Sequence, residues 1–180
     1  MFASHFHYTW FQNSPVAELK TVADWQGAEP SGNAAGGLDR PFLVDQSFPK
    51  GKALADWLVN VAASTTLGEI PINQPRADVV GVNASLATRW IYNAPLGLPP
   101  TTKYLSFNTP VGAPVENQCG KVVFGDLHIM GENDTTLPDN NFPASCPQVL
   151  TPEEKALIFL FFDLSSCIQK EEEAPKPPLK

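Results

Sequence analysis

Basic residues and long apolar runs are both scarce in this sequence. Twelve Lys and Arg stand against 19 Asp and Glu, which gives a formal net charge of −7. Nucleic-acid-binding surfaces need clustered Lys and Arg to replace phosphate counterions, so this balance argues against a nucleic-acid partner. The longest apolar run, Ala156 to Phe162, is far shorter than the roughly 20 residues that cross a bilayer. The sequence therefore predicts no nucleic-acid partner and no membrane span.

The first eleven residues lack the basic segment and apolar stretch of a secretory signal peptide. They are instead rich in aromatic residues that suit a strand, and no turn precedes them. We expect an N-terminally truncated domain, the C-terminal part of something larger; the alternative is a first strand that pairs at a sheet edge. Hydrophobic residues make up 43% of the chain, so it should form a core, and its 18 prolines predict long Pro-rich loops.

Two segments are the main strand candidates. Residues 1–9 are aromatic-rich, and residues 120–129 form a mostly apolar run that begins at Gly120. Continuous apolar runs are typical of strands covered on both faces, as in parallel sheets. Lys103 to Phe107 alternates and predicts a further strand. We therefore expect residues 1–9 and 120–129 to be central parallel strands.

Two segments carry helix signals. Apolar residues at helical spacing between Ala53 and Val61 predict a helix over residues 51–63. Thr151, Pro152 and Glu154 form a capping box that predicts a helix over residues 152–168. The predicted fold is an α/β domain over residues 1–168, with a mostly parallel sheet flanked by helices in an incomplete three-layer arrangement. Residues 169–180 should be a disordered tail or linker.

A strand that ends in His, followed by a loop and a buried helix, resembles the end of class I glutamine-amidotransferase-like domains, which have a flavodoxin-like fold. Gly120–His128 with Glu132 resembles the strand with that family's catalytic His and its following Glu, and Phe2–His7 resembles the strand that leads to its nucleophile elbow. Three more segments extend the resemblance over most of residues 1–168: Ser47–Gly51, Leu105–Gly112 and Leu150–Ala156.

This combination resembles modules of large secreted or surface proteins of bacteria. The resemblance implies an extracellular or cell-surface location, with upstream modules of the same or a parent polypeptide as partners. The family's nucleophile is a Cys, but no Cys occurs near residues 1–8; Ser4 or His5 stands there without the glycines of a tight elbow. We therefore expect a non-catalytic structural or ligand-binding module rather than an enzyme.

The three histidines lie in two places in the sequence, and they suggest two kinds of site. If residues 1–9 are a strand beside 120–129, His5 and His7 share one face and His128 reaches the same crevice at the strand ends. One hypothesis is a zinc site formed by His5, His7, Asp126 and His128, with Glu132 as an alternative carboxylate.

A second hypothesis is a hydrolase, in which Ser4 is the nucleophile, His128 the base and Glu132 the residue that orients it. The third alternative is that the histidines are structural residues, hydrogen-bonded and left from an ancestral site.

Cysteine spacing gives no zinc pattern. Cys119 begins the 120–129 strand and Cys167 ends the helix that should run back along it, so both lie at the same end of the sheet. A Cys119–Cys167 disulfide is therefore predicted, which leaves Cys146 free or paired elsewhere and implies export. Three reduced, buried cysteines in a cytosolic protein are the alternative.

Overall fold

The structure is a computed structural model that describes residues 1–28, 42–94, 100–129 and 150–165, together with Glu173. Its central element is a six-stranded sheet. Along the chain the strands of this sheet are β1 (Phe2–Ser4), β3 (Phe42–Val44), β4 (Glu69–Ile70), β6 (Ala87–Asn93), β7 (Thr101–Thr109) and β8 (Gly120–Gly125). A separate two-stranded ribbon consists of β2 (Ala23–Ala28) and β5 (Ala77–Val82).

Four α-helices complete the described elements: α1 (Tyr8–Gln12), α2 (Ala17–Lys20), α3 (Pro49–Asn60) and α4 (Pro152–Ser165). Short 3₁₀ turns lie at His5–His7 and Val115–Asn117. The two longer helices were both expected. Thr151 and Glu154 form the predicted capping box: the Thr151 N–H donates to Glu154 Oε2 at 2.7 Å and the Glu154 N–H to Thr151 Oγ1 at 3.2 Å. None of the described helices has the length and apolar character that a membrane span requires.

The prediction of a mostly parallel sheet is wrong. The strand order is β1-β8-β7-β6-β3-β4, and only β1 and β8 run parallel. The connections from β6 to β7 and from β7 to β8 are too short for the helical crossover that parallel neighbours need, so these strands form antiparallel pairs. β1 pairs with β8 as expected, but it is the outermost strand of the described sheet and not a central one.

Both faces of the central sheet are buried, by different kinds of structure. The helices α3 and α4 cover one face, around Leu58, Trp90 and Leu160. The β2–β5 ribbon and α1 cover the other, around Phe11, Val79 and Phe124. The apolar run of β8 therefore correctly indicated burial on both faces. It could not indicate strand direction, because a small second sheet buries the second face as well as helices would.

The first strand also ends earlier than expected. β1 stops at Ser4, and the chain turns through His5–His7 into α1, so the prediction of a strand over residues 1–9 is wrong. In a helical turn, neighbouring side chains fan out around an axis instead of alternating between two faces. This change of local structure decides where the N-terminal histidines project.

Candidate functional site

His5 and His128 meet at one end of the central sheet. His5 follows β1 directly, and His128 lies three residues beyond the end of β8. Because β1 and β8 are parallel neighbours, their carboxyl ends lie at the same edge of the sheet. The two Nε2 atoms are 3.1 Å apart and the ring centroids 4.4 Å apart. We call these two side chains the histidine pair.

Gln74 fixes the orientation of His128. The backbone N–H of His128 donates to the backbone oxygen of Gln74 at 3.0 Å, and Pro75 forms an isolated antiparallel bridge with Leu127. The Gln74 side-chain Oε1 lies 2.9 Å from His128 Nδ1. Since an amide oxygen only accepts, this bond assigns the proton of neutral His128 to Nδ1 and leaves a lone pair on Nε2, facing His5.

His5 is the more enclosed member of the histidine pair, with 5% of its surface exposed. Phe6, itself 70% exposed, lies with its ring centroid 4.0 Å from that of His5. Burial lowers the pKa of His5 to about 4, and the neighbouring His128 and Arg76 add to this effect, while the Leu127 backbone carbonyl opposes it. His5 is therefore a neutral imidazole at physiological pH. Its Nδ1 has no hydrogen-bond partner among the described residues.

His7 does not join the histidine pair. The turn at His5–His7 directs its ring back to Ser4, whose backbone N–H and Oγ both lie 3.0 Å from His7 Nδ1. The ring also packs edge-on against Trp10, at a centroid distance of 4.3 Å. His7 thus completes a local cap of the turn, in the position that Glu or Gln takes in a capping box. The expectation that His5 and His7 share a face depended on a strand that the chain does not form there.

Asp126 projects into the interior and is fully buried. Its Oδ2 accepts the Val79 N–H at 3.2 Å and lies 3.8 Å from Lys103 Nζ, which donates to the Arg76 backbone oxygen. The expected metal site of His5, His7, Asp126 and His128 is thus not assembled. Within the described parts of the chain, no three His, Cys, Asp or Glu side chains are grouped to hold a metal ion.

The buried charges around Asp126 form a second cluster, made of Asp78, Lys103 and Asp126. Burial raises the pKa of Asp126 to about 8, and Lys103 partly offsets this rise. Burial likewise lowers the pKa of Lys103 to about 8. Perturbed groups of this kind often mark functional sites, but all three residues are at most 4% exposed, so a ligand has no direct route to them. We assign this cluster a structural role beneath the histidine pair.

The expected hydrolytic residues are also separated. The described side-chain hydrogen bond of Ser4 goes to His7 and not to His128. Glu132 lies outside the described residues. The Ser4 backbone is extended, with φ −89° and ψ 172°, and lacks the strained turn of a nucleophile elbow. The described geometry therefore does not bring Ser4 and His128 together as nucleophile and base.

The disulfide prediction concerns residues that the structure describes only in part. Cys119 is exposed and forms no disulfide with a described residue. Cys146 and Cys167 lie outside the described residues, so the Cys119–Cys167 pairing stays a prediction.

Sequence reasoning missed Gln74 and Lys103. Gln74 lies in a proline-marked segment with no periodicity, so nothing local indicated that its side chain would hold a histidine 54 residues away. Lys103 opens an alternating strand pattern, which predicts exposure for a lysine. The register between β6 and β7 is irregular here: Ile91 pairs with Tyr104 and the next residue, Tyr92, pairs with Thr102, so Lys103 lies between the two pairs. The ribbon strand β5 and the residue before it then cover the Lys103 side chain.

Comparison of the chain with protein-family models, with curated proteins and with solved structures finds no match.

Proposed function

We propose that this chain is a non-catalytic ligand-binding module whose binding centre is the histidine pair, His5 and His128. The observation that carries the proposal is the convergence of two imidazole Nε2 atoms to 3.1 Å from positions 123 residues apart in the sequence. Both nitrogens lie where the parallel strands β1 and β8 end, at the same edge of the sheet. An extracellular location is part of the same proposal and rests on the resemblance to exported bacterial modules.

Binding is favoured over hydrolysis by the hydrogen bonds of Ser4 and His7. The His7 Nδ1 atom already accepts the Ser4 backbone N–H, so the Ser4 hydroxyl must share that lone pair. A general base needs a free lone pair and a third group that orients its ring. The described polar contacts of His7 all go to Ser4, and its ring rests on the apolar edge of Trp10. These contacts suit a structural cap better than a catalytic base.

The test is a thermal-shift panel on the full chain with four probes: zinc chloride, magnesium chloride, inorganic phosphate and acetate. A ligand that binds only the folded state stabilises it by RT ln(1 + [L]/Kd), about 2.7 kcal/mol at 100 times Kd. We expect at least one probe to give a saturable shift that His128→Ala removes. The matched control is His7→Ala, which lies outside the histidine pair and should keep the shift.

Two outcomes would overturn the proposal. One is a panel in which no probe gives a shift that depends on His128. The other is hydrolysis of p-nitrophenyl acetate above the background rate that disappears in Ser4→Ala, because that result would make the chain a hydrolase.

A further inference from the structure

We infer that the histidine pair binds one borderline divalent transition-metal ion, of the class of Zn²⁺, Ni²⁺ and Cu²⁺, through the Nε2 atoms of His5 and His128 alone. This inference rests on the proposed function and names its ligand class. It differs from a site of three or four side chains, because His7 and Asp126 are turned away from the pair.

The distance between the two Nε2 atoms suits two ligands of one metal ion. A metal–nitrogen bond to imidazole is about 2.0–2.1 Å long. Two such ligands are about 2.9 Å apart when they meet at a right angle, and about 3.4 Å apart at the tetrahedral angle. The observed 3.1 Å lies between these limits. The pair could therefore ligate one ion with little movement of either ring.

The lone pair of His128 is directed at His5. Gln74 Oε1 holds the proton of His128 on Nδ1, so that the His128 Nε2 lone pair faces His5. Without metal, the His5 Nε2–H donates to this lone pair, and the buried Nδ1 of His5 is left with no described partner. The Leu127 carbonyl acts on the His5 ring as an acceptor. A shift of the His5 proton from Nε2 to Nδ1 frees a second lone pair for the metal.

The two imidazole ligands select the class of metal ion. Imidazole nitrogen is a ligand for zinc, nickel and copper, whereas magnesium and calcium require oxygen ligands. With two protein ligands, such an ion keeps open positions for water or for a further ligand. His128 is partly exposed and His5 is enclosed, so the ion would approach along the His128 side. Gln74 acts as a positioning residue in this arrangement, because it orients His128 without touching the metal.

The experiment is calorimetric titration of the full chain, its thiols kept reduced, with zinc chloride, nickel chloride and magnesium chloride. We expect saturable binding of one zinc or nickel ion and no binding of magnesium. His128→Ala should lower the affinity at least tenfold, and Gln74→Leu should lower it roughly 10- to 100-fold, as loss of a group that orients a ligand does. His7→Ala is the matched control and should stay within about twofold, because His7 lies outside the pair.

A second readout follows the His5 proton directly. Long-range ¹H–¹⁵N spectra of the imidazoles distinguish the two neutral tautomers. We expect His5 to carry its proton on Nε2 without zinc and on Nδ1 with zinc, while His128 keeps its proton on Nδ1 in both states. This readout does not depend on the affinity, and it tests His5 without a substitution at this enclosed side chain.

Zinc binding that persists in His128→Ala, absence of saturable zinc binding, or a His5 tautomer unchanged by zinc would each overturn the metal inference. Failure of the proposed function looks different. If phosphate or acetate gives a shift that depends on His128 while zinc does not, the binding module stands and only the metal is wrong. If no probe depends on His128, both fail.

Discussion

A buried hydrogen bond between Trp90 and Ser106 links the two central strands β6 and β7. Trp90 is fully buried and its Nε1–H donates to Ser106 Oγ at 2.8 Å, with Ser106 only 1% exposed. The register between β6 and β7 shifts at Trp90, which lies between the pairs Arg89–Leu105 and Ile91–Tyr104. This irregularity directs the indole into the core beneath α3 and α4, against Phe48 and Phe159.

The perturbation is a double-mutant cycle of Ser106→Ala and Trp90→Phe. Ser106→Ala leaves the indole N–H buried without a partner, and we expect it to lower the free energy of unfolding by about 1–3 kcal/mol. Trp90→Phe should cost more, because it also removes core volume. In the Trp90→Phe background there is no indole N–H to lose its partner, so Ser106→Ala should leave the free energy of unfolding nearly unchanged. The coupling energy of the cycle should therefore be about 1–3 kcal/mol.

The assay is urea unfolding followed by far-ultraviolet circular dichroism at neutral pH, since the fluorescence of the indole itself changes in the cycle. Ser85→Ala is the control: Ser85 is an exposed serine whose hydroxyl donates to Asn83 Oδ1 at 2.6 Å. It should change the free energy of unfolding by no more than about 0.5 kcal/mol, because water replaces the lost bond. If Ser106→Ala lowers the free energy of unfolding equally in both backgrounds, the loss does not come from an indole N–H left without a partner, and the prediction is refuted.

Two further predictions concern buried groups. The pKa of Asp126 is raised to about 8 in the folded chain, whereas an aspartate in the unfolded chain has its ordinary pKa of about 4. Protonation of Asp126 therefore stabilises the fold fully below about pH 4, and this stabilisation is lost as the pH rises toward 8. The free energy of unfolding of the unchanged chain should therefore fall between about pH 5 and pH 8, and Asp126→Asn should reduce this fall by up to about 4 kcal/mol, as measured by urea titration. The control Asp56→Asn changes an exposed carboxyl group and should leave the fall unchanged. Parallel pH profiles for the unchanged chain and Asp126→Asn would contradict the prediction. Gly51→Ala places a Cβ 1.9 Å from the Asp45 backbone oxygen and should destabilise the fold by about 1–3 kcal/mol or more, whereas a Cβ at Gly81 meets nothing within 4 Å. Equal urea midpoints for Gly51→Ala and Gly81→Ala would show that α3 can shift away from Asp45.

The parts of the fold that could be predicted are those governed by neighbours in the sequence. The α4 cap needs only Thr151 and Glu154, three residues apart. The apolar spacing from Ala53 to Val61 predicts α3, although this helix spans Pro49–Asn60 and not residues 51–63. The apolar run of β8 likewise predicts a buried strand. The parallel pairing of the first strand with β8 was also expected, and it is what carries His5 to His128.

The remaining features depend on contacts between distant residues. The alternating pattern around Lys103 does not say that the β2–β5 ribbon covers that face, so its burial beside Asp126 was not predictable. By contrast, β1 ends at Ser4 through a local cap that pairs Ser4 with His7 in place of the usual Glu or Gln, and this early turn is what removes His7 from the histidine pair.

The sequence by itself determined α3, α4, the buried strand β8 and the absence of a long apolar run, because these depend on local backbone preference and periodicity. It did not determine α1, whose first residues were expected to belong to the first strand. Only the tertiary structure decided strand direction, the second layer of sheet, and the meeting of His5, His128 and Gln74. A continuous apolar run indicates that a strand is buried on both faces, but it does not distinguish a parallel strand from an antiparallel strand that a second layer covers. Side chains 54 and 123 residues apart come together only when the sheet forms, since nothing short-range links them.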